Sequence, residues 1–189
     1  QLTIHNPQLF LAQDRESAEE AWPGDIIGVP NHGNLRIGDT LTEGEDIKFL
    51  GVPNFAPEIL RRVRLGDPMK AKKLKEALQQ MAEEGVVQVF RPLDGAPALV
   101  GVVGPLQLDV LRARLSAEYG LDIDYEQPEF QLARWVSSDD AKALAEFVEA
   151  NYSSVGEDLD GDRVFMAGNQ FILDYTRERA PAVVFTDIK

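Results

Sequence analysis

Cysteine is absent from this chain of 189 residues. Without a thiol there is no disulfide frame, no thiolate nucleophile and no thiolate-held metal. Histidine is nearly absent too, with His5 and His32 alone. A two-histidine zinc centre would have to draw on both, 27 residues apart and on what read as separate strands. No apolar run approaches the ~20 residues that span a bilayer. Positive charge is scarce: 19 Lys+Arg stand against 32 Asp+Glu, a formal net charge of −13. That balance argues against a nucleic-acid binder working by bulk charge. No glycine is followed by lysine, so G-x-x-x-x-G-K-[ST] cannot occur, and G-x-G-x-x-G is missing as well. The chain opens at Gln1 with no initiator methionine and no signal peptide. The expectation is a fragment of a longer protein. What is present is ordinary globular material, 44% hydrophobic and 27% charged, enough for one domain or two small ones.

The first fifty or so residues read as β structure. Gln1–Ala12, Gly24–Val29, Leu35–Leu41 and Asp46–Leu50 are short apolar stretches. Turn residues punctuate them at Trp22-Pro23-Gly24-Asp25, Pro30 to Asn34 and Ile37-Gly38-Asp39. The spacing suggests part of a barrel or sandwich. Gly51 to Pro57 holds two prolines in seven residues and reads as an interdomain connector. Beyond it, strands and helices alternate. Glu58–Leu65 is a strand, with Ile59, Val63 and Leu65 on one side and Arg62 and Arg64 on the other. Asp67-Pro68 opens a helix over Met69–Glu84 that buries Leu74, Ala77, Leu78 and Met81 and stops at Gly85. Val86–Phe90 and Ala98–Val103 are strands around a turn at Leu93-Asp94-Gly95. A second helix, Pro105–Tyr119, carries Leu108, Leu111 and Leu115 and ends at Gly120; Leu121–Glu126 is a strand. This order is the βαββαβ ferredoxin-like unit. The remainder reads as a further βαβαβ portion. Its parts are Gln131–Val136, a helix over Asp139–Asn151 capped by Ser138 with Ala141, Leu144, Ala145 and Val148 aligned, Arg163–Ala167, a helix over Asn169–Arg179 and Ala182–Thr186. No internal sequence repeat is visible.

Candidate chemistry is thin. Gly101-Val-Val-Gly104 precedes a helix, but Pro105 removes a donor and the lining is apolar, so it reads as a plain strand-to-helix turn. Glu157 to Asp162 superficially resembles a calcium loop. Aligned on Gly161, its first and last ligand positions fall on Gly156 and Ala167, so the reading is a solvated turn. His32 reads as a turn residue without a nucleophile partner, and no nucleophile–base–orienter set emerges.

One stretch runs against the acidic total. Glu58 to Lys75 holds seven basic residues and two acidic ones, net +5, and the rest of the chain holds 12 and 30, net −18. The basic residues are Arg61, Arg62, Arg64, Lys70, Lys72, Lys73 and Lys75. Three of them sit in the first turns of the expected helix, where the dipole disfavours cations. Contact with phosphate would account for that cost. So would intramolecular balance, with Lys72 and Glu76 as an i, i+4 pair. Both readings stay open.

Gly51-Val-Pro-Asn-Phe-Ala-Pro-Glu58 followed by Ile59-Leu-Arg-Arg-Val-Arg-Leu65 closely resembles bacterial peptide chain release factor 3. So do Pro23-Gly24-Asp25-Ile26-Ile27-Gly28, Asn31-His32-Gly33, Glu83-Glu84-Gly85, Val103-Gly104-Pro105-Leu106-Gln107 and Ala133-Arg134-Trp135. The resemblance implies an α+β chain: a partial translation-factor β-barrel over 1–56, then an α/β C-terminal domain over 57–189. The latter divides into a ferredoxin-like part (57–129) and an extension (130–189). It further implies a cytoplasmic, ribosome-bound class II release factor. That factor is a translational GTPase that promotes departure of class I release factors after peptide release. Its GTP/GDP site belongs to a domain whose motifs are missing here, so no catalytic, cofactor-binding or metal residue carries over. The implied partners are the ribosome (its RNA and proteins), the class I factors indirectly and the factor's own GTPase domain, with neither membrane nor DNA. The seven basic residues are the candidate ribosome contacts. Two other readings are an unrelated ferredoxin-like ligand-binding module and a carboxylate-based hydrolase.

Overall fold

The computed structural model describes residues 3, 5–11, 14–17, 20–30, 35, 37–47 and 53–189. The chain divides into two compact units, 1–48 and 49–189. His32 and its turn lie outside the described residues. In the first unit β1 (Gln8–Leu11), β2 (Asp14–Ser17) and β3 (Ile27–Gly28) form an antiparallel sheet in the order β2-β1-β3. The turn expected at Trp22 is present, with the Asp25 carboxylate accepting from the Trp22 amide at 2.7 Å. Two expectations change. β2 is an addition, because Asp-Arg-Glu-Ser offers no apolar alternation to announce it. The described residues of 35–47 contain no strand.

The second unit is an eight-stranded antiparallel sheet with four helices. Its first half is β4 (Ile59–Leu65), a 3-10 turn over Pro68–Lys70, α1 (Ala71–Glu83), β5 (Gln88–Pro92), β6 (Leu99–Val102), α2 (Pro105–Tyr119) and β7 (Ile123–Glu126). Asp67 caps the 3-10 turn and not α1 as expected, accepting from the Met69 amide at 3.0 Å; α1 starts after Lys70 without a side-chain cap, and Gly85 and Gly120 take the left-handed conformation that stops each helix. The second half is β8 (Leu132–Ser137), α3 (Ala141–Ala150), β9 (Val155–Glu157), β10 (Arg163–Ala167), α4 (Gln170–Arg179) and β11 (Val184–Thr186). It is therefore βαββαβ, not βαβαβ. β9 has only three residues, one of them glycine, too short to show a period. The α3 cap is also corrected. Asp140 accepts from Lys142 and Ala143, while Ser138 accepts from Asp140 and donates to Ala182. α3 buries Phe147 with Leu144 and Val148 of the expected face packed beside it, while Ala141 and Ala145 are exposed.

The strand order is β11-β8-β10-β9-β5-β6-β4-β7. Within each half this is the fourth, first, third and second strand, so a ferredoxin-like topology occurs twice in succession. The halves join edge to edge, with Arg91 opposite Glu157 and Pro92 opposite Gly156. Three apolar layers follow. One half packs Val63, Val89 and Val100 against Leu78 and Met81 of α1 and Leu111 and Leu115 of α2. The other packs Phe165 and Val155 against Phe147 of α3 and Leu173 of α4. The faces without helices share a third layer of Leu60, Phe90, Leu99, Phe130, Trp135, Val164 and Met166. The sheet curls around that layer until its distant strands meet. Phe55 bridges Ile188, and Asn54 and Lys189 exchange both backbone hydrogen bonds at 2.9 Å. Residues 54–56 of the proline-rich connector thus pair with residues 187–189 within the second unit.

Gly156 sits on the inside of the curl at the junction. A β-carbon there would come within 2.8 Å of the Arg91 carbonyl oxygen, a backbone atom. Gly156→Ala is expected to cost about 1–3 kcal/mol, the range of an overpacked core, read by urea denaturation. An unchanged midpoint would show the junction to be loose.

Candidate functional site

The fold separates the seven basic residues into two groups. In β4 the side chains alternate between faces. Arg62 and Arg64 share the helix-free side with Leu60, while Arg61 lies among Ile59 and Val63 on the helix-covered side. The arginines are largely engaged. Arg61 donates to the Leu60 carbonyl at 2.7 Å. Arg62 is half-buried with its guanidinium 4.0 Å from Glu129. Arg64 donates from Nε to Glu126 on β7 at 2.5 Å. That bond and charge raise the Arg64 pKa and lower that of Glu126.

The lysines follow the 3-10 turn and α1, and all four are exposed. Lys70 donates to the Gly120 carbonyl at 3.2 Å, placing a cation at the negative end of α2. Lys72 stands 3.9 Å from Glu76, an exposed pair that contributes little to stability. Lys73 and Lys75 have no ion-pair partner among the described residues. Among the described residues Arg61, Lys70, Lys73 and Lys75 of the +5 segment thus lack a carboxylate partner, and Lys72 has only the exposed Glu76, so α1 carries exposed lysines. The strand-to-helix turn at Gly104 is occupied by its own chain. Gln107 Oε1 accepts from the Val103 and Gly104 amides at 2.8 and 3.2 Å.

The acidic loop is the larger correction. Residues 158–162 link β9 to β10, and Asp158 is buried, with 8% of its surface exposed. One carboxylate oxygen accepts from the Asp160 and Asp162 amides at 3.0 and 2.9 Å, folding the loop around itself. The other accepts from Trp135 Nε1 at 2.9 Å and from Lys189 Nζ at 2.7 Å. Lys189 Nζ also reaches Asp160 at 2.7 Å, and it reaches Asp162 as well. Three carboxylates within 4.8 Å of one another could hold a metal ion, but here the chain's own ammonium bridges all three and offsets one of their charges. Burial alone would push the Asp158 carboxyl up; the ammonium, the indole N–H and the Asp162 amide outweigh it and hold the pKa low. Burial would likewise depress Lys189, and the three carboxylates outweigh it and raise its pKa. Sequence inspection missed this network because Trp135 and Lys189 approach the loop only through β8 and the strand pairing at 187–189.

The charge network carries two expected outcomes. Lys189→Met leaves three carboxylates without their cation and should cost on the order of 3 kcal/mol, the low end for a broken buried pair because a quarter of the side chain is exposed. Trp135→Phe should cost about 1.5–3 kcal/mol for one hydrogen bond to a charge. The stability from the depressed Asp158 is present above the unfolded carboxylate range near pH 4 and lost as pH falls through the lower folded value. The Lys189 contribution is present below its ordinary pKa and lost only as pH rises through the raised one. Urea titrations should therefore separate wild type from Lys189→Met at pH 7 and bring them together only as pH falls through the lowered Asp158 value, beneath the ordinary carboxylate range. A gap that persists in acid would rule the carboxylates out as its source.

Comparison with known proteins places these units. The family profile described as elongation factor G domain 2 matches residues 1–44. That described as class II release factor RF3, C-terminal domain, matches residues 49–177. A crystal structure of a protein from Thermus thermophilus aligns at 20% identity with a TM-score of 0.49, over 71% of this chain and 23% of that one. The chain thus spans less than a quarter of that protein's length. Two translation-factor profiles fall in chain order, one on each compact unit, and the second covers well over half the sequence: the chain belongs to the class II release factor RF3 C-terminal domain family.

Proposed function

We propose that this chain is the ribosome-docking region of a GTP-dependent release factor that acts in translation termination by promoting dissociation of class I release factors. The observation that carries the reading is the pair of family matches in their order along the chain. The lysine cluster on α1 supplies the phosphate-facing surface. Lys72, Lys73 and Lys75 are exposed cations in a protein of net charge −13, so an acidic body limits indiscriminate RNA binding while one helix docks. Arg62 and Arg64 of β4 face Glu129 and Glu126 and contribute less to docking. GTP and GDP are handled by the factor's GTPase domain, whose phosphate-loop motif does not occur in these residues. These two units transmit nucleotide state into ribosome contact as rigid bodies.

Charge reversal in the full-length factor tests the docking surface. Lys72→Glu with Lys73→Glu should weaken ribosome association and flatten its salt dependence by about 0.7–0.9 in log–log slope for each phosphate no longer engaged. Arg61→Glu with Arg62→Glu adds a folding cost, so its melting temperature is read alongside. Binding unchanged across the salt series would leave the lysines a purely intramolecular role. Calorimetry of the isolated chain with GTP should give no saturable heat, and specific binding would overturn the assignment.

A further inference from the structure

Two opposite sides of α2 are apolar. Leu108, Leu111 and Leu115 are buried in the core. At about 3.6 residues per turn, Leu106, Val110, Ala113 and Ala117 fall on the far side, and all four are exposed. Leu106 keeps 76% of its surface open and Val110 49%, where a helix resting on a single core would carry polar groups. These positions are spaced four, three and four residues apart, as in the seam of a coiled coil. Charge stays off the seam. The helix holds two acidic and two basic residues, so it is neutral in a chain of −13. Arg112 lies over the Tyr125 ring, and Arg114 binds Glu84 and Glu118. Asp109 and Ser116 flank the seam on one side, Gln107 and Arg114 on the other.

We propose that this seam joins two copies of the chain, their α2 helices antiparallel across a two-fold axis. The gradient of side-chain size selects the occupant. It runs from Leu106 and Val110 at the start of α2 to Ala113 and Ala117 toward its end. A covering helix must be small where α2 is large, and α2 reversed has that order. Leu106 then meets Ala117 of the second copy, and Val110 meets Ala113, each contact made twice as a two-fold interface requires. A parallel copy would set leucine on leucine and leave a gap between alanines at the other end. On the flanks Asp109 approaches Ser116 and Gln107 approaches Arg114, so no like charges are opposed. The contact between two 15-residue helices is about 22 Å long. It falls in the small-interface class, below about 1,200 Å², so the dimer is weak and depends on concentration. The −13 on each copy opposes association, and salt screens that repulsion. The salt dependence is thus opposite in sign to that of RNA docking through Lys72 and Lys73.

The test is sedimentation equilibrium of the 189-residue chain across a series of protein and sodium chloride concentrations. A monomer–dimer equilibrium should appear and strengthen as salt rises. Leu106→Lys makes the chain less acidic, yet it should weaken dimerisation about tenfold by burying an ammonium. Its melting temperature should stay unchanged, because the position is exposed. Orientation is read with cysteines, since the chain has none of its own. Leu106→Cys chains mixed with Ala117→Cys chains and oxidised with diamide should join as the mixed pair ahead of either like pair. A monomer at every concentration, association indifferent to Leu106→Lys, or like pairs forming as fast as the mixed one would each overturn the proposal. So would a monomeric chain whose Leu106→Cys thiol is shielded from alkylation by added ribosomes, since the face would then belong to a different partner.

Discussion

The second unit depends on two helix-free sheet faces burying each other. A ferredoxin-like unit covers one side of its sheet with helices and leaves the other side apolar. Leu60, Phe90 and Leu99 from one half and Trp135, Val164 and Met166 from the other remove those sides from water together. Each of the six is at most 8% exposed. At about 1.5–3 kcal/mol for each large apolar side chain, this shared layer is a major driving force for the unit. Neither half would retain it alone. The edge pairing of β5 with β9 turns two sheets into one and sets the curl that encloses the layer.

Much else follows from that curl. It brings β8 beside the loop after β9, so the Trp135 indole reaches Asp158. It carries residues 187–189 to 54–56, so Lys189 arrives over the same loop. A loop of four acidic residues in six, which would repel itself in isolation, is held folded by one ammonium and one indole N–H. The charge network is thus a product of tertiary closure rather than of local sequence. On the opposite side, the same architecture leaves α1 with its lysines facing solvent and a groove beside them.

Local signals account for what is legible in the sequence. The helices α1 and α2 follow from apolar spacing and from glycine at 85 and 120, because caps and periodicity are properties of contiguous residues. The split of β4 into two faces follows from strand alternation. The family connector between Gly51 and Glu58 points to the translation factor. What escapes is non-local. β9 is short and owes its existence to the edge of β5. The repeated topology leaves no repeated sequence, since the two halves share a strand order and not side chains. Asp158 reads as one acid among 32 until Trp135 and Lys189 are placed beside it. The +5 segment is one stretch in sequence, yet it divides between strand and helix, so linear charge arithmetic overstates its area. An open groove beside α1 draws its lining from β4, α1, β5, the following turn and Leu159, separated by up to 96 positions.

The seam at Asn54 and Lys189 has a topological consequence. Residues 54 and 189 lie opposite each other in one residue pair, so the backbone between them closes into a ring with a single nick. A linker across that nick and a new opening at the exposed turn of Asp94 and Gly95 would reorder the eight strands in sequence while leaving their neighbours in space unchanged. The first half would then be split, with β6, α2 and β7 leading and β4, α1 and β5 trailing. The order in which a fold of this kind is written along the gene is one choice among several that the same packing allows.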